Sequence, residues 1–556
     1  VLISRCFVVV RCLVFGLFLG TISPGFSAPR INEFMAANDT GLADENGDRS
    51  DWIEIYNPDD TAISLAGYHL TDNPNKLDKW TFPAVTLQAG GYLKVFASGK
   101  NRVDPTKPLH TNFDLDAEGE YLALVAPDAL TVIHALAPAF PPQFDNVSFG
   151  LAGSPLAWSF FTTATPGSTN STTAQRAGPV VTVTVQDPPQ PVTGPLTITA
   201  SVRALNDPVA TVKLFYRRMF GAETSISMVD DGSNGDAAPA DGIWTATIPA
   251  SAFGPGEMTR WRLVATDSKA TDSKLPPFRT TVDYPQYFGT VAQDSRIQSL
   301  LPVFHWFTTN LNGSATDAGA RGSVFYNGEF YDNVYFSVHG QSTAGFPKHS
   351  YNIDFNPHWH FRYKTNEARV SDIDLLTNWA DKSKVRQVLA YEIMRNAGVA
   401  AHFAFSVRVQ NNGNFFSTAD FIERGNEDFL ERAGLNKDGA LYKVYQNTLN
   451  KAAGDSGNSG VEKKTRTFEN NADLQALIDG LALSGTALSN YMWDNIDIPR
   501  CVDMLAANSV IRNIDMHVKN WYIYRDTGRS GEWAILPWDL DLSQGRVWNS
   551  ANTYFD

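Results

Sequence analysis

Between residues 31 and 285 the apolar residues come in short aromatic and β-branched runs broken by Asn, Asp, Gly and Pro turns. Trp52 to Tyr56, Tyr92 to Phe96 and Tyr121 to Val125 are examples. Such runs predict sandwiches of short strands rather than long helices, and 41 glycines with 12% aromatic residues favour the same reading. A chain of 556 residues also exceeds what one hydrophobic core supports; at roughly 100 to 200 residues per domain, three or four units are expected. A Ser/Thr/Gly-rich stretch from Thr162 to Gly178 reads as a linker. It separates a first β domain, residues 29–170, from a second, residues 179–285. There Val180 to Val185, Leu196 to Val202, Val212 to Tyr216 and Arg260 to Ala265 alternate with period two.

The first 28 residues have the layout of a secretory signal. Arg5 and Arg11 flank apolar runs that end in the small-residue stretch Ser23 to Ala28. The uninterrupted apolar core falls well short of the roughly 20 residues that span a bilayer, so export is expected and no membrane span after cleavage. Cys6 and Cys12 lie in this leader, which leaves Cys501 alone and excludes an internal disulfide in the mature chain. Cys501 sits at an apparent helix start among apolar neighbours and reads as a small buried filler. The net charge of −14, with no local run of Lys and Arg, argues against nucleic acid as a partner.

Two acidic clusters stand out in the β region. Glu33, Asp51 and Glu54 fit a carboxylate cluster and solvated strand positions about equally well. The loop from Asp230 to Asp236, followed by Asp241-Gly242, offers oxygen ligands for calcium, although Asp and Gly are also the ordinary residues of a tight turn.

From about Leu301 strands mix with helical stretches. The strand Val334 to Val338 leads into His339-Gly340-Gln341-Ser342-Thr343-Ala344-Gly345 and then Lys348. A small-residue loop with a lysine beyond it can bring backbone N–H groups and one ammonium to phosphate oxygens, which makes Gly340, Gln341, Ser342 and Lys348 nucleotide-binding candidates. A helix carrying Val388, Leu389, Ile393 and Met394 comes next, capped by Asp381 or Ser383 and ended by Gly398; its Glu392 is a candidate partner for Lys348. Further on, Asp515-Met516-His517-Val518-Lys519-Asn520 precedes the strands Trp521 to Tyr524 and Trp533 to Leu536, then Pro537-Trp538-Asp539-Leu540-Asp541. Phosphoryl transfer needs a carboxylate near the attacking group and oxygen ligands that place a divalent metal against the phosphates. Asp515 fits the first role, and Asn520, Asp539 and Asp541 the second. Pairing Arg525 with Glu532 would set Asn520 opposite Pro537 and on one face with Asp539 and Asp541.

Phe346-Pro347-Lys348, Asn378-Trp379-Ala380-Asp381, Arg386, Asp515 to Asn520 and Pro537 to Asp541 together resemble the spore coat protein H (CotH) family of atypical kinases over residues 298–556. The resemblance implies a bilobal α+β protein-kinase-like domain that binds ATP with Mg²⁺ or Mn²⁺ and phosphorylates protein. In it Asp515 is the catalytic Asp, Lys348 the phosphate-binding lysine, and Asn520 and Asp539 metal ligands. His339-Gly340-Gln341-Ser342-Thr343 departs from the Arg-Gly and Ser-Ser common in that family, and the chain stops 15 residues past Asp541, so the domain is expected to be incomplete at its C-terminus. Ile31 to Ala36, Asp51 to Asn57, Gly67 to Asp72, Trp80 and Phe96 to Lys100 resemble a lamin-tail domain, which implies an immunoglobulin-like binding or tethering module.

The expected architecture is therefore two N-terminal all-β sandwiches followed by an α+β kinase-like domain. The expected function is an exported kinase that phosphorylates a surface or matrix protein; the alternative is a noncatalytic surface adhesion protein whose kinase-like domain only binds nucleotide or a partner.

Overall fold

The computed structural model describes residues 28–183, 194–277, 284–340, 345–356, 359–377, 379, 381–445, 460–467, 469–516 and 519–545. The leader expected over residues 1–28 thus lies outside the described residues except for Ala28, as do Gln341 and Ser342. Two compact units divide the chain, Val1–Ala177 and Gly178–Asp556. Among the described residues no helix is long and apolar enough to cross a membrane.

Among the described residues the first unit has two main sheets and a two-stranded ribbon, Ile63–Ser64 with Thr86–Leu87. A seven-stranded sheet centres on Arg30–Met35 and Asp51–Tyr56, and a four-stranded sheet contains His69–Thr71 and Leu122–Val125. Phe34 packs on Phe140 and Phe149 at ring distances of 4.8 and 5.7 Å, which fills the space between strands with aromatic area. Glu33 and Glu54, cross-strand neighbours in this sheet, are both 0% exposed, which overturns the solvated reading. Their oxygens are taken by the Ser/Thr/Gly-rich stretch. Thr165 donates to Glu33 through its N–H (3.1 Å) and its Oγ1 (2.9 Å), Gly167 N–H donates to Glu54, and Asn32 Nδ2 donates to Glu54 at 2.9 Å. Asn170 Nδ2 donates to the carbonyls of Asn32 and Leu151, and Gln175–Arg176 pairs with Ala157–Phe161. Much of the expected linker is therefore fastened to this sheet, because buried carboxylates must find donors and the loop supplies them.

In the second unit, Val180–Val183, Leu196–Arg203 and Ile243–Ile248 form one sheet. Val209–Arg218 and Met258–Asp267 form the centre of another. Strict alternation in Leu196–Arg203 places Ile198, Ala200 and Val202 in a core with Val212, Leu214, Trp261 and Leu263. Asp332 joins this sandwich to the region C-terminal to it. Its carboxylate accepts from Gln286 N (3.1 Å), Tyr287 N (3.0 Å) and Ser323 Oγ (2.7 Å) and lies 3.4 Å from Arg260.

Next comes a closed seven-stranded barrel. Its order is Val303–Phe307, Ala320–Tyr326, Glu329–His339, Ser350–Asp354, Asp372–Leu376, Asn414–Glu423 and Ala404–Asn411, closed by a parallel pairing of the last strand with the first. Trp306, Phe336, Tyr351, Phe361 and Phe421 fill its interior. Beyond it lies a four-stranded sheet in the order Val461–Lys463, Ala440–Val444, Trp521–Arg525, Trp533–Pro537. The helices Ala472–Leu481, Gly485–Asn495 and Ile498–Ile511 accompany it. The C-terminal region is thus rich in strand with few helices.

One core cluster welds barrel to sheet. It joins Ala390, Tyr391 and Met394 of the helix Arg386–Asn396 to Met504, Ala507, Ile511, Leu536, Trp538 and Leu540, with Cys501 packed at its margin. Burying that face turns Leu389 (45% exposed) and Ile393 (39% exposed) to solvent, so of the four apolar residues its sequence advertises only Met394 and, in part, Val388 reach the core. Asp381 caps it from five residues away, accepting from the N–H groups of Val385 (3.2 Å) and Arg386 (3.1 Å), and Gly398 ends it with φ +82°.

Candidate active site

Between barrel and sheet opens a cleft of about 980 Å³, at the upper end of the range for small-molecule sites. Gly340, Lys348, Asp515, Asn520, Asp539 and Asp541 all line it, although they come from segments up to 201 positions apart. Glu392 does not line it. It lies on the exposed side of its helix, whose rotation is set by burial of Ala390, Tyr391 and Met394; the cleft receives Gln387 from that helix instead.

The hairpin that carries the acids is paired one residue away from the expected register. Trp521 lies opposite Pro537 and Arg525 opposite Trp533, so Asn520 is not opposite Pro537. Period-two alternation also ends before the site does. Asn520 (φ +65°) and Asp539 (φ +55°) adopt left-handed backbone just outside the strands, and this bend, rather than a shared strand face, turns both toward the cleft. Asn520 Nδ2 donates to Asp515 Oδ2 at 2.7 Å, joining the proposed catalytic and metal positions. Asp541 is pushed well above the usual carboxylate range, first by burial and then by the charges of Asp539 and Asp515 and a hydrogen bond with Asp539. Neighbouring carboxylates beside an amide oxygen are a donor set that suits a hard divalent cation.

The cations of the cleft were the less legible part. Arg424 bridges Asp354 (2.7 Å), Asp372 (3.1 Å) and Asp374 (3.5 Å). Burial alone would raise Asp374, but His339, 3.4 Å away, and Arg424 hold it well below the usual range. The same pairing raises His339 against the opposing effect of burial. Lys348 is lowered by desolvation and by nearby Lys384. Lys443, a lone lysine in the strand Ala440–Val444, is lowered to about 8, mainly by desolvation. No motif marks Lys443, Asp374 or Arg424, and only their convergence reveals them.

Away from the cleft, ligand atoms of Asp230, Asp236 and Asp241 lie within 4.8 Å of one another, as do those of Asp44, Glu45 and His110. In the first set Asp230 accepts from the N–H groups of Asp241 and Gly242 (3.1 Å each), and Asp236 from that of Gly232 (2.6 Å), bonds that also define a turn.

Residues 336–556 match the family model described as CotH kinase protein, and residues 24–136 match the Lamin Tail Domain. Over 226 residues, 38% of this chain, the sequence is 26% identical to inner spore coat protein H of Bacillus subtilis (strain 168). The match spans 59% of that relative, so the chain corresponds to about three fifths of its length. Among solved structures, a purple acid phosphatase from yellow lupin (Lupinus luteus) seeds is 11% identical with a TM-score of 0.19, over 50% of this chain and 44% of its own. A marsupial T cell receptor is 10% identical with a TM-score of 0.15, over 72% and 94%. Likenesses that weak carry no argument.

Proposed function

We propose that this chain is an exported or surface-associated atypical protein kinase that transfers the γ-phosphoryl group of ATP to a protein hydroxyl. The observation that carries this reading is the meeting, in one cleft, of Asp515, Asn520, Asp539 and Asp541 with Gly340 and Lys348. The CotH kinase match and the likeness to a spore coat protein support it. Asn520, Asp539 and Asp541 would hold Mg²⁺ or Mn²⁺, which when bound neutralises charge on the phosphates. Lys348 and the backbone at Gly340 orient the phosphate chain. Asp515, held by the Asn520 amide, accepts the proton of the acceptor hydroxyl as its oxygen bonds to the γ-phosphorus; the bond to the β,γ-bridging oxygen breaks and ADP leaves.

Asp515→Ala should abolish transfer of label from γ-labelled ATP to added acceptor protein, while circular dichroism and melting temperature stay close to wild type. Undiminished transfer would remove Asp515 from the mechanism. Nucleotide binding without any transfer by the wild-type chain would favour a noncatalytic binding role.

A further inference from the structure

We propose that Lys443 is a second phosphate-gripping cation of the cleft, opposite Lys348, so that a polyphosphate chain is held from the barrel and from the four-stranded sheet at once. This rests on the nucleotide-binding reading above. Lys443 stands directly across from Glu462 on the neighbouring strand, the pairing that would ordinarily form an ion pair. Glu462 is committed elsewhere: Tyr445 Oη donates to it at 2.5 Å and Lys464 lies 3.4 Å away. Among the described residues no carboxylate comes within 4.0 Å of the Lys443 ammonium. Instead it lies 4.5 Å from the centre of the Trp538 ring and 4.9 Å from that of Tyr445.

Two aromatic faces hold a cation without discharging it, because a ring quadrupole attracts charge but offers no hydrogen-bond acceptor. The ammonium therefore keeps its donors for the cleft, which it lines together with Trp538, the residue preceding Asp539. Arg424, by contrast, is spent on three carboxylates. Lys348 precedes barrel strand Ser350–Asp354 and Lys443 sits within Ala440–Val444, so the two ammonium groups come from opposite walls. The ligand class that such a pair recognises is an extended di- or triphosphate, not a neutral nucleoside.

The test is calorimetric titration of the full chain and of Lys443→Met, an unbranched side chain without the charge, with adenosine, ADP, ATP and pyrophosphate in Mg²⁺. Loss of a charge-assisted hydrogen bond should weaken ADP, ATP and pyrophosphate about tenfold or more and leave adenosine unchanged. Unchanged ATP and pyrophosphate affinity, or a parallel loss of adenosine, would overturn the assignment. If wild type binds pyrophosphate but no nucleotide, the kinase reading fails while a loss in Lys443→Met still sustains the anion grip. If wild type binds neither, both fall.

Discussion

The hydroxyl of Tyr391 accepts a hydrogen bond from the backbone N–H of Asp539 at 3.1 Å, tying the helix Arg386–Asn396 to the left-handed residue whose carboxylate is proposed to hold the metal. That helix reaches the site through Gln387, which lines the cleft, and through the buried Tyr391, not through Glu392. Tyr391→Phe preserves the ring packing and removes the hydroxyl, with its bonds to the Asp539 N–H and to Gln387, so stability should fall by about 0.5–1.5 kcal/mol. Mg²⁺-dependent ATP binding should weaken several-fold while metal-free adenosine binding is retained. Equal metal dependence in both proteins would show that Asp539 holds its geometry unaided.

The two hairpin acids should differ under amide substitution. Burial and the charges of Asp539 and Asp515 push the Asp541 carboxyl well above its ordinary range, so its charged form is the costly one, and it is hydrogen-bonded to Asp539. Asp541→Asn removes that charge and should leave the metal-free protein at least as stable as wild type. Asp539→Asn removes an anion from the proposed metal site and should weaken Mg²⁺-ATP binding by about tenfold or more, the larger loss of the two. Calorimetry of both variants reads the order directly, and the reverse order would place the metal on Asp541.

Acid should stabilise the first unit. Burial holds Asp51, Glu54 and Glu120 near 7 in the folded chain, against ordinary values of 3.8 for Asp51 and 4.5 for the two glutamates. Between those limits the folded form binds protons that the unfolded form has released. Stability therefore falls as pH rises from about 4 to 7 and stays at its lower level above that window. Urea unfolding at pH 5 and pH 8 should show the higher midpoint at pH 5, with a smaller difference in Glu54→Gln. A midpoint that rises with pH in the same unfolding transition contradicts this.

Asp332 should be the most costly single residue at the junction of the second sandwich with the barrel. Removing it takes the carboxylate from the nearly buried Arg260 guanidinium, which keeps its bond to the Met219 carbonyl, and from two backbone N–H groups. Asp332→Ala should cost about 3–5 kcal/mol, as breaking a buried ion pair does. A denaturation midpoint within error of wild type would show that the aromatic contacts of Arg260 with Phe220 and Tyr287 suffice.

Short strands with period-two patterning were readable in the sequence because alternation is a local property of an extended chain: Leu196–Arg203 buries every second residue as its pattern requires. The cluster of Asp515, Asn520, Asp539 and Asp541 was readable for a similar reason, since three acids and an amide fall within 27 positions around one hairpin. Features that depend on distant partners were not. Glu33 and Glu54 fitted a carboxylate cluster and solvated positions equally well, because nothing local announces a loop more than a hundred residues away that buries and bonds them. The outward turn of Leu389 and Ile393 depends on which neighbour the helix meets, and propensity does not specify that. Hairpin register hung on a loop whose length admits a slip of one, and left-handed backbone at Asn520 and Asp539 then overrode the strand period. The same holds for the charge of Lys443. In sequence it is one lysine in a strand, and only the tertiary structure, by occupying Glu462 elsewhere and bringing Trp538 and Tyr445 to its ammonium, leaves that charge facing the cleft.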